Sequence, residues 1–205
     1  MKFERKSGIL LHPTSLPGTP GIGTLGANAF AFVDWLVDAG QSLWQILPLG
    51  PTGYGDSPYA SFSTFAGNPL LIDLDKLVER GWLTKKDILP PDYISSTGNV
   101  DFGSVVWWKT PLLKKAAQNF IDNANAEDSA LYKQFCKNKK SWLDNFATFM
   151  SIKSSIFSSN YCSIIILHCC IILSVFLSCL LHIKIDKRIF QPTGDKYMYN
   201  LITFA

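Results

Sequence analysis

The sequence predicts an α/β fold with a parallel sheet near its N-terminus, and three observations support this prediction. Residues 9–11 form a short apolar run between a glycine and a proline-rich stretch, which is typical of a strand buried on both faces. Residues 27–39 place apolar side chains at helical spacing and end at Gly40, where a left-handed residue terminates many helices. Residues 42–47 form a second apolar run that ends at Pro48. Strand, helix and strand in this order indicate a βαβ unit with parallel strands.

A long loop and several helices are expected to follow this unit. The loop at residues 50–69 is rich in Gly, Pro, Ser and Tyr and precedes an apolar segment at 70–74. Loops at the carboxyl ends of parallel strands are where such folds carry function. A short helix is predicted at 77–80, ended by Gly81, and a longer one from Thr110 to Ile121 with Pro111 in its first turn.

A last helix is predicted over residues 126–150. Its apolar residues recur at helical spacing and form one stripe. Such a stripe is more often part of a core than a binding surface, so we expect it to be buried. Its members are Leu131, Phe135, Trp142, Phe146 and Phe149.

Composition separates the chain into two regions, 1–153 and 154–205. Of 205 residues, 47% are hydrophobic, which is enough to bury a sizeable core. The net charge of +3, with only 17% charged residues, argues against a nucleic-acid partner. All six Trp lie in the first region, whereas four of the five Cys lie in the second. The first region therefore carries the aromatic and turn-rich character of the chain.

Cysteine use and the N-terminus predict a cytoplasmic protein. Cys136 stands alone in the first region, the other four cysteines lie in one hydrophobic run, and no CxxC pair occurs. This pattern supports no disulfide framework. No apolar signal region precedes the first predicted strand.

The second region contains a candidate membrane span at residues 161–183. These residues carry no formal charge and are followed by Lys184, which meets the ~20-residue length criterion for a transmembrane helix. Taken literally, the segment tethers the protein to a membrane. The alternative, which we favour, is that residues 154–205 are the translation of an intron or of a shifted frame.

Gly21, Gly23 and Gly26 satisfy the GxGxxG pattern ahead of a predicted helix. A dinucleotide-binding fingerprint follows its strand immediately, yet nine residues separate Leu11 from Gly21. Turn glycines with a purely structural role are therefore the favoured interpretation.

The long loop contains the residue types that bind sugars. Tyrosine rings present flat apolar faces to the C–H surface of a pyranose, while hydroxyl, amide and carboxylate groups bond its hydroxyls. The segment GYGDSPY at 53–59 supplies both kinds of group. These residues alone leave an ordinary surface loop equally open.

Three motifs in order make the chain resemble the amylomaltase, or disproportionating-enzyme, family. They are GILLHPTSLPG at 8–18, WQILPLGPTGYGDSPY at 44–59 and GNPLLIDL at 67–74. A looser similarity continues through WLDNFATFM at 142–150, so that the resemblance covers about residues 5–153.

This resemblance implies the N-terminal part of a (β/α)8 TIM barrel, incomplete and followed by an unrelated hydrophobic tail. It implies 4-α-glucanotransferase activity, which moves an α-1,4-glucan segment to an acceptor sugar or maltooligosaccharide without a nucleotide sugar or a required metal. Ser57 and Tyr59 match residues that line the donor subsites. Tyr54 matches an aromatic at an outer glucan contact. Asp56 is expected to order the loop.

The residues that perform this chemistry are not expected in this sequence. Retaining transfer needs a nucleophilic carboxylate and an acid/base carboxylic acid that face one cleft. In the family these groups lie on later barrel strands, beyond the matching region. The spacing of Asp56, Asp73 and Asp101 gives no reason to pair any two of them, and His12 is expected to be structural. The chain alone is therefore expected to be inactive, and a non-catalytic glucan-binding fragment is the alternative.

Overall fold

The N-terminal half is built on a parallel strand pair joined by a helix. The computed structural model describes residues 5–17, 20–94, 98–157 and 200–203, with the backbone alone at 54, 155–157 and 200–203. Strand β1 (Gly8–Leu10) pairs in parallel with β2 (Leu43–Ile46), with Ile9 opposite Trp44. Helix α1 (Ala27–Asp38) joins them, and Gly40 follows it with a left-handed φ of 66°. The predicted βαβ unit is confirmed.

The prediction that β1 is buried on both faces is wrong. Ile9 packs on a core formed with Leu36 of α1 and Trp44 of β2. Neighbouring side chains of a strand point to opposite faces, and Leu10 on the other face is 58% exposed. Within the described residues, α1 covers only one face of the pair.

A third strand, β3 (Asn200–Thr203), completes the sheet in the order β1-β2-β3. It runs antiparallel to β2, with Ile202 opposite Trp44. It comes from the region that composition sets apart from the first 153 residues. The candidate membrane segment at 161–183 lies outside the described residues; no helix within them is long and apolar enough to span a bilayer.

Helices α2 (Leu74–Glu79) and α3 (Phe102–Asn123) form a second core next to this unit. Asp73 caps α2 by accepting hydrogen bonds from the amides of Asp75 and Lys76 at 2.9 and 3.3 Å. Gly81 follows α2 with a φ of 74°, as predicted for a terminating residue. The core contains buried residues of both helices and of the segments beside them: Leu71, Ile72, Leu74, Leu77, Trp82, Leu83, Leu113, Ala116, Ala117 and Phe120.

Helix α3 does not begin at Thr110 and Pro111, as its proline suggested. It begins after Asp101, whose side chain accepts a hydrogen bond from the Ser104 amide at 3.1 Å. Pro111 lies inside the helix, where it cannot donate to the preceding turn. The helix continues through it because Val105, Leu113 and other residues of one face are buried. Packing thus outweighs the proline in deciding where the helix begins.

Helix α4 (Ala126–Phe157) extends beyond the predicted end at residue 150. An ion pair between Arg80 and the buried carboxylate of Asp128 ties its first turn to the end of α2. In the predicted core stripe, Phe135 is buried and packs with Leu143 in a small cluster, and the partly buried Trp142 packs against this cluster. Phe149 is exposed, although its ring has a partner outside the helix.

Candidate functional site

The long loop, residues 50–68, leaves the sheet at the carboxyl end of β2. Parallel strands place their functional loops at this edge. The Asn68 amide donates a hydrogen bond to the Leu49 carbonyl at 2.7 Å, so that the two ends of the loop meet. The loop therefore leaves the edge of the sheet and comes back to the same place, with its two ends hydrogen-bonded to each other.

A short antiparallel neck holds the base of the loop. Thr52 and Ser61 form an isolated bridge, the Gly53 amide donates to the Ala60 carbonyl at 3.0 Å, and the Phe62 amide donates to the Pro51 carbonyl at 3.2 Å. These bonds pair residues 51–53 with residues 60–62. The tip of the loop, residues 54–59, lies between them.

Two turns form the tip. Residues Tyr54–Asp56 make one 3-10 turn, in which Gly55 and Asp56 have left-handed φ values of 79° and 52°. Asp56 is the only non-glycine residue with a positive φ among the described residues. The Ala60 amide then donates to the Ser57 carbonyl at 3.0 Å and closes the second turn. The glycine and the aspartate at this point give the chain a reversal that bulkier residues disfavour.

Of the three predicted sugar contacts, the structure describes the side chains of two. Tyr59 is 62% exposed at the tip. Its amide donates to the Ser57 hydroxyl oxygen at 3.3 Å, which places the two residues side by side. Tyr54 lies in the first turn, and its side chain is outside the described part of the structure. The Ser57 hydroxyl and the Tyr59 backbone are thus in contact at the tip of the loop.

Helix α4 supports the loop through aromatic contacts that the sequence analysis did not predict. Phe65 stacks on Trp142 with ring centroids 5.9 Å apart, and Phe62 meets Phe149 at 6.0 Å. The Lys153 ammonium lies 3.4 Å from the centre of the Phe62 ring, a cation–π contact. Part of the stripe taken as core is therefore the surface on which the loop rests. The signal for this contact in the sequence is the pair Phe62 and Phe65 in a loop made mostly of Gly, Pro, Ser and Tyr.

The three glycines of the GxGxxG pattern are required by the packing of the chain itself. Side chains at Gly23 and Gly26 would overlap the Pro13 carbonyl and the Asp73 carboxylate, respectively. Gly21 has a φ of 78° and lies against Val105 and Ile94. Protein groups thus occupy the space beside these glycines, which supports the structural interpretation.

Two of the three acidic residues considered for catalysis, Asp73 and Asp101, have structural partners. Asp73 caps α2 and accepts a hydrogen bond from the buried Thr24 hydroxyl at 2.8 Å. Asp101 caps α3, and hydrogen bonds from the Ser104 hydroxyl and amide lower the pKa of its carboxyl. No cluster of metal-ligating side chains occurs within the described ranges. The carboxylates of Asp73 and Asp101 therefore serve helix ends.

His12 follows β1 at the same edge of the sheet. Its Nδ1 atom is buried and has no hydrogen-bond partner among the described residues. Burial lowers the pKa of its imidazole, because desolvation disfavours the charged form. The structural role of His12 stays a prediction.

Comparisons with known proteins point to one family. A family model described as 4-alpha-glucanotransferase matches residues 11–163, which extends past Lys153, where the resemblance was expected to end. The 4-alpha-glucanotransferase of Thermus thermophilus is 48% identical over 155 residues, covering 76% of this chain and 30% of the relative. The chloroplastic/amyloplastic 4-alpha-glucanotransferase of Solanum tuberosum is 41% identical over 158 residues, with coverages of 75% and 27%.

A solved structure agrees with the sequence matches. The Streptococcus agalactiae amylomaltase in complex with acarbose superposes with a TM-score of 0.75 at 35% identity, over 88% of this chain and 40% of that one. The chain thus spans about a third of the length of these relatives. The family model alone covers most of the sequence. The chain therefore belongs to the 4-alpha-glucanotransferase family.

Proposed function

We propose that this chain supplies part of the glucan-binding cleft of a 4-alpha-glucanotransferase, with the long loop as the binding element. The full reaction in this proposal moves a segment of an α-1,4-glucan to an acceptor glucose, maltooligosaccharide or glucan. The observation that carries this proposal is the exposure of Tyr59, next to Ser57, on a loop that packs against α4. Family membership gives this surface its ligand class, an α-1,4-glucan.

The chemistry of the loop tip fits a neutral sugar. An exposed tyrosine ring presents an apolar face to a pyranose and a hydroxyl at its edge. The Ser57 oxygen accepts one bond from the Tyr59 amide, which does not use the hydroxyl proton, so that Ser57 retains a donor for a sugar hydroxyl. Because the loop closes on itself through the Thr52–Ser61 bridge, binding requires little further ordering. Tyr54 completes the proposed set.

The transfer step is assigned to residues outside this sequence. Retaining transfer needs two carboxyl groups across one scissile bond, and Asp73 and Asp101 are engaged at helix ends. We expect the purified chain to bind maltooligosaccharides without rearranging them. Release of glucose from maltotriose by the purified chain would contradict this assignment. Binding without rearrangement is also the result expected for the alternative, a non-catalytic glucan-binding protein.

Calorimetric titration with maltoheptaose tests the binding surface. Replacing Tyr59 by Ala removes the exposed ring, so the dissociation constant should rise by about tenfold. Tyr59→Phe keeps the ring and should bind nearly as well as the unaltered chain. Tyr93→Ala is the matched control, because Tyr93 is similarly exposed, at 55%, but lies outside the loop. Equal losses in Y59A and Y93A, or no heat with the folded unaltered chain, would refute the proposal.

Two further assignments belong to this proposal. The described strands β1 and β2 represent the first two strands of a (β/α)8 barrel, an assignment supported by their parallel pairing and the crossover through α1. We also propose a cytoplasmic location, because Cys136 has no disulfide partner among the described residues and reducing compartments keep cysteines unpaired. Fractionation of cells that express the chain tests the location, and recovery with membranes would argue against it.

A further inference from the structure

The segment at which the long loop rejoins the fold is held from two sides. Residues Pro69–Leu71 form a 3-10 turn between the loop and α2. The Leu71 carbonyl accepts a hydrogen bond from the Leu25 amide at 2.9 Å, from the segment that leads into α1. The Leu70 carbonyl accepts one from the Lys109 amine of α3 at 2.7 Å. Two successive carbonyls are thus bound by two elements distant in sequence.

We propose that Lys109 is a positioning residue that fixes the base of the long loop and thereby the loop's glucan-contacting tip. This inference rests on the proposed function for its effect on binding. Lys109 lies on α3, and its hydrogen bond goes to the base of the loop and not to the proposed sugar surface. It acts through the Leu70 carbonyl.

Complete burial of this amine calls for a specific role. Lys109 is 2% exposed and is the largest fully buried side chain of the described residues. Lysine is almost never fully buried unless it is paired. Desolvation lowers the pKa of its amine to about 7, an effect that the charge of Asp73 partly opposes. An apolar side chain of similar length would fill the space without this cost. The amine is therefore explained by the bond it makes to the Leu70 carbonyl.

The hydrogen bonds around Leu70 connect this anchor to the loop. The Leu70 amide donates to the Asn68 side chain at 2.9 Å, and the Asn68 amide donates to the Leu49 carbonyl at 2.7 Å. Lys109, Leu70, Asn68 and Leu49 thus form a continuous path from α3 to the point where the loop closes. Without the amine, the Leu70 carbonyl is buried and lacks this partner, which favours local opening of the loop base.

Replacing Lys109 by Met tests this role, because Met keeps the length and the apolar stem and removes the donor. Hydrogen exchange should become about tenfold faster at the amides of Asn68, Leu70 and Phe62 while the amides of α3 keep their protection. Leu113→Met is the matched control: Leu113 lies one turn further along α3, is also 2% exposed, and should leave exchange in the loop unchanged. A merely structural role of Lys109 would instead accelerate exchange in α3 and the loop together. That result, or unchanged exchange in K109M, would overturn the proposal.

Titration with maltoheptaose tests the consequence for binding. K109M should raise the dissociation constant by about fivefold while the protein remains folded at the temperature of the titration. L113M should bind normally. Full affinity in K109M would overturn the link to binding. If the unaltered chain binds no maltoheptaose, the proposed function fails, and the exchange experiment still decides whether Lys109 fixes the loop base.

A measurement on the unaltered chain covers the case in which K109M does not fold. Lysine labelled with 13C at the ε position gives a resolved methylene signal for a buried side chain. A nuclear Overhauser contact between this signal and the Leu70 or Leu71 protons is expected from the hydrogen bond to the Leu70 carbonyl. Its absence would overturn the proposal.

Discussion

The contact between Gly26 and Asp73 shows how a single hydrogen atom in place of a side chain organises this fold. The Asp73 carboxylate lies where a Cβ of residue 26 would be. From that position the carboxylate accepts a hydrogen bond from the Thr24 hydroxyl and caps α2. Gly26 has an extended backbone, with φ and ψ of −105° and −154°, which other residues also adopt. The requirement for glycine here is therefore steric and does not come from the backbone.

Gly26→Ala should accordingly lower the free energy of unfolding by about 2 to 3 kcal/mol. The added methyl group displaces the Asp73 carboxylate and breaks its bonds to Thr24 and to the α2 amides. Urea denaturation followed by circular dichroism measures the change. Gly103→Ala is the control, because its Cβ would meet only Asp101 Oδ1, at 3.4 Å, and Ala favours the helix. A G26A protein as stable as G103A would show that Asp73 relocates at no cost.

At the scale of elements, the loop and α4 meet through the Phe65–Trp142 stack. A double-mutant cycle with Phe65→Ala and Trp142→Ala should give a coupling energy of about 0.5 to 1.5 kcal/mol, because either single substitution already removes the contact between the two rings. The four free energies of unfolding supply the measurement. A second cycle between Phe65→Ala and Trp107→Ala, an exposed residue of α3, should be additive. Coupling of equal size in both cycles would mean that the stack contributes nothing specific.

The elements also show what sequence patterns can predict. The β1-α1-β2 unit follows from local signals, since each apolar run and the terminating Gly40 act within a few residues. The start of α3 was misplaced because Pro111 suggested a first turn, while the cap of Asp101 and the burial of the helix decided otherwise. The loop itself was identified from its motif. Its support by Trp142 and its anchor at Lys109 were not, because both depend on contacts between residues far apart in the chain.

At the scale of the whole molecule, the lowered pKa of Lys109 predicts that its contribution to the free energy of unfolding increases as the pH rises above neutrality. Its amine has a pKa of about 7 in the folded protein, against an ordinary value of 10.5. Between these values the unfolded chain binds a proton that the folded chain does not. Raising the pH therefore favours the folded state, by at most about 1.4 kcal/mol per pH unit, and acidification through pH 7 removes the gain.

Urea denaturation of the unaltered chain and K109M from about pH 7.5 to 9.5 measures this slope. The difference in free energy between the two proteins should shift in favour of the unaltered chain as the pH rises. Among the described residues, three other groups have shifted pKa values in or near this range: lowered for Lys153, raised for Cys136 and raised for Tyr132. All three are common to both proteins, so their contributions cancel. A difference that does not vary with pH would mean that Lys109 is protonated throughout.

The cation–π contact between Phe62 and Lys153 has a consequence for the order of events during synthesis. At about 5 to 20 residues per second, the loop leaves the ribosome several seconds before the end of α4 that supports it. In that interval Phe62 and Phe65 lack the rings and the cation that later contact them. The proposed binding loop therefore gains these contacts only after the end of α4 has been synthesised. Until it does, it offers exposed aromatic rings to chaperones and to other nascent chains.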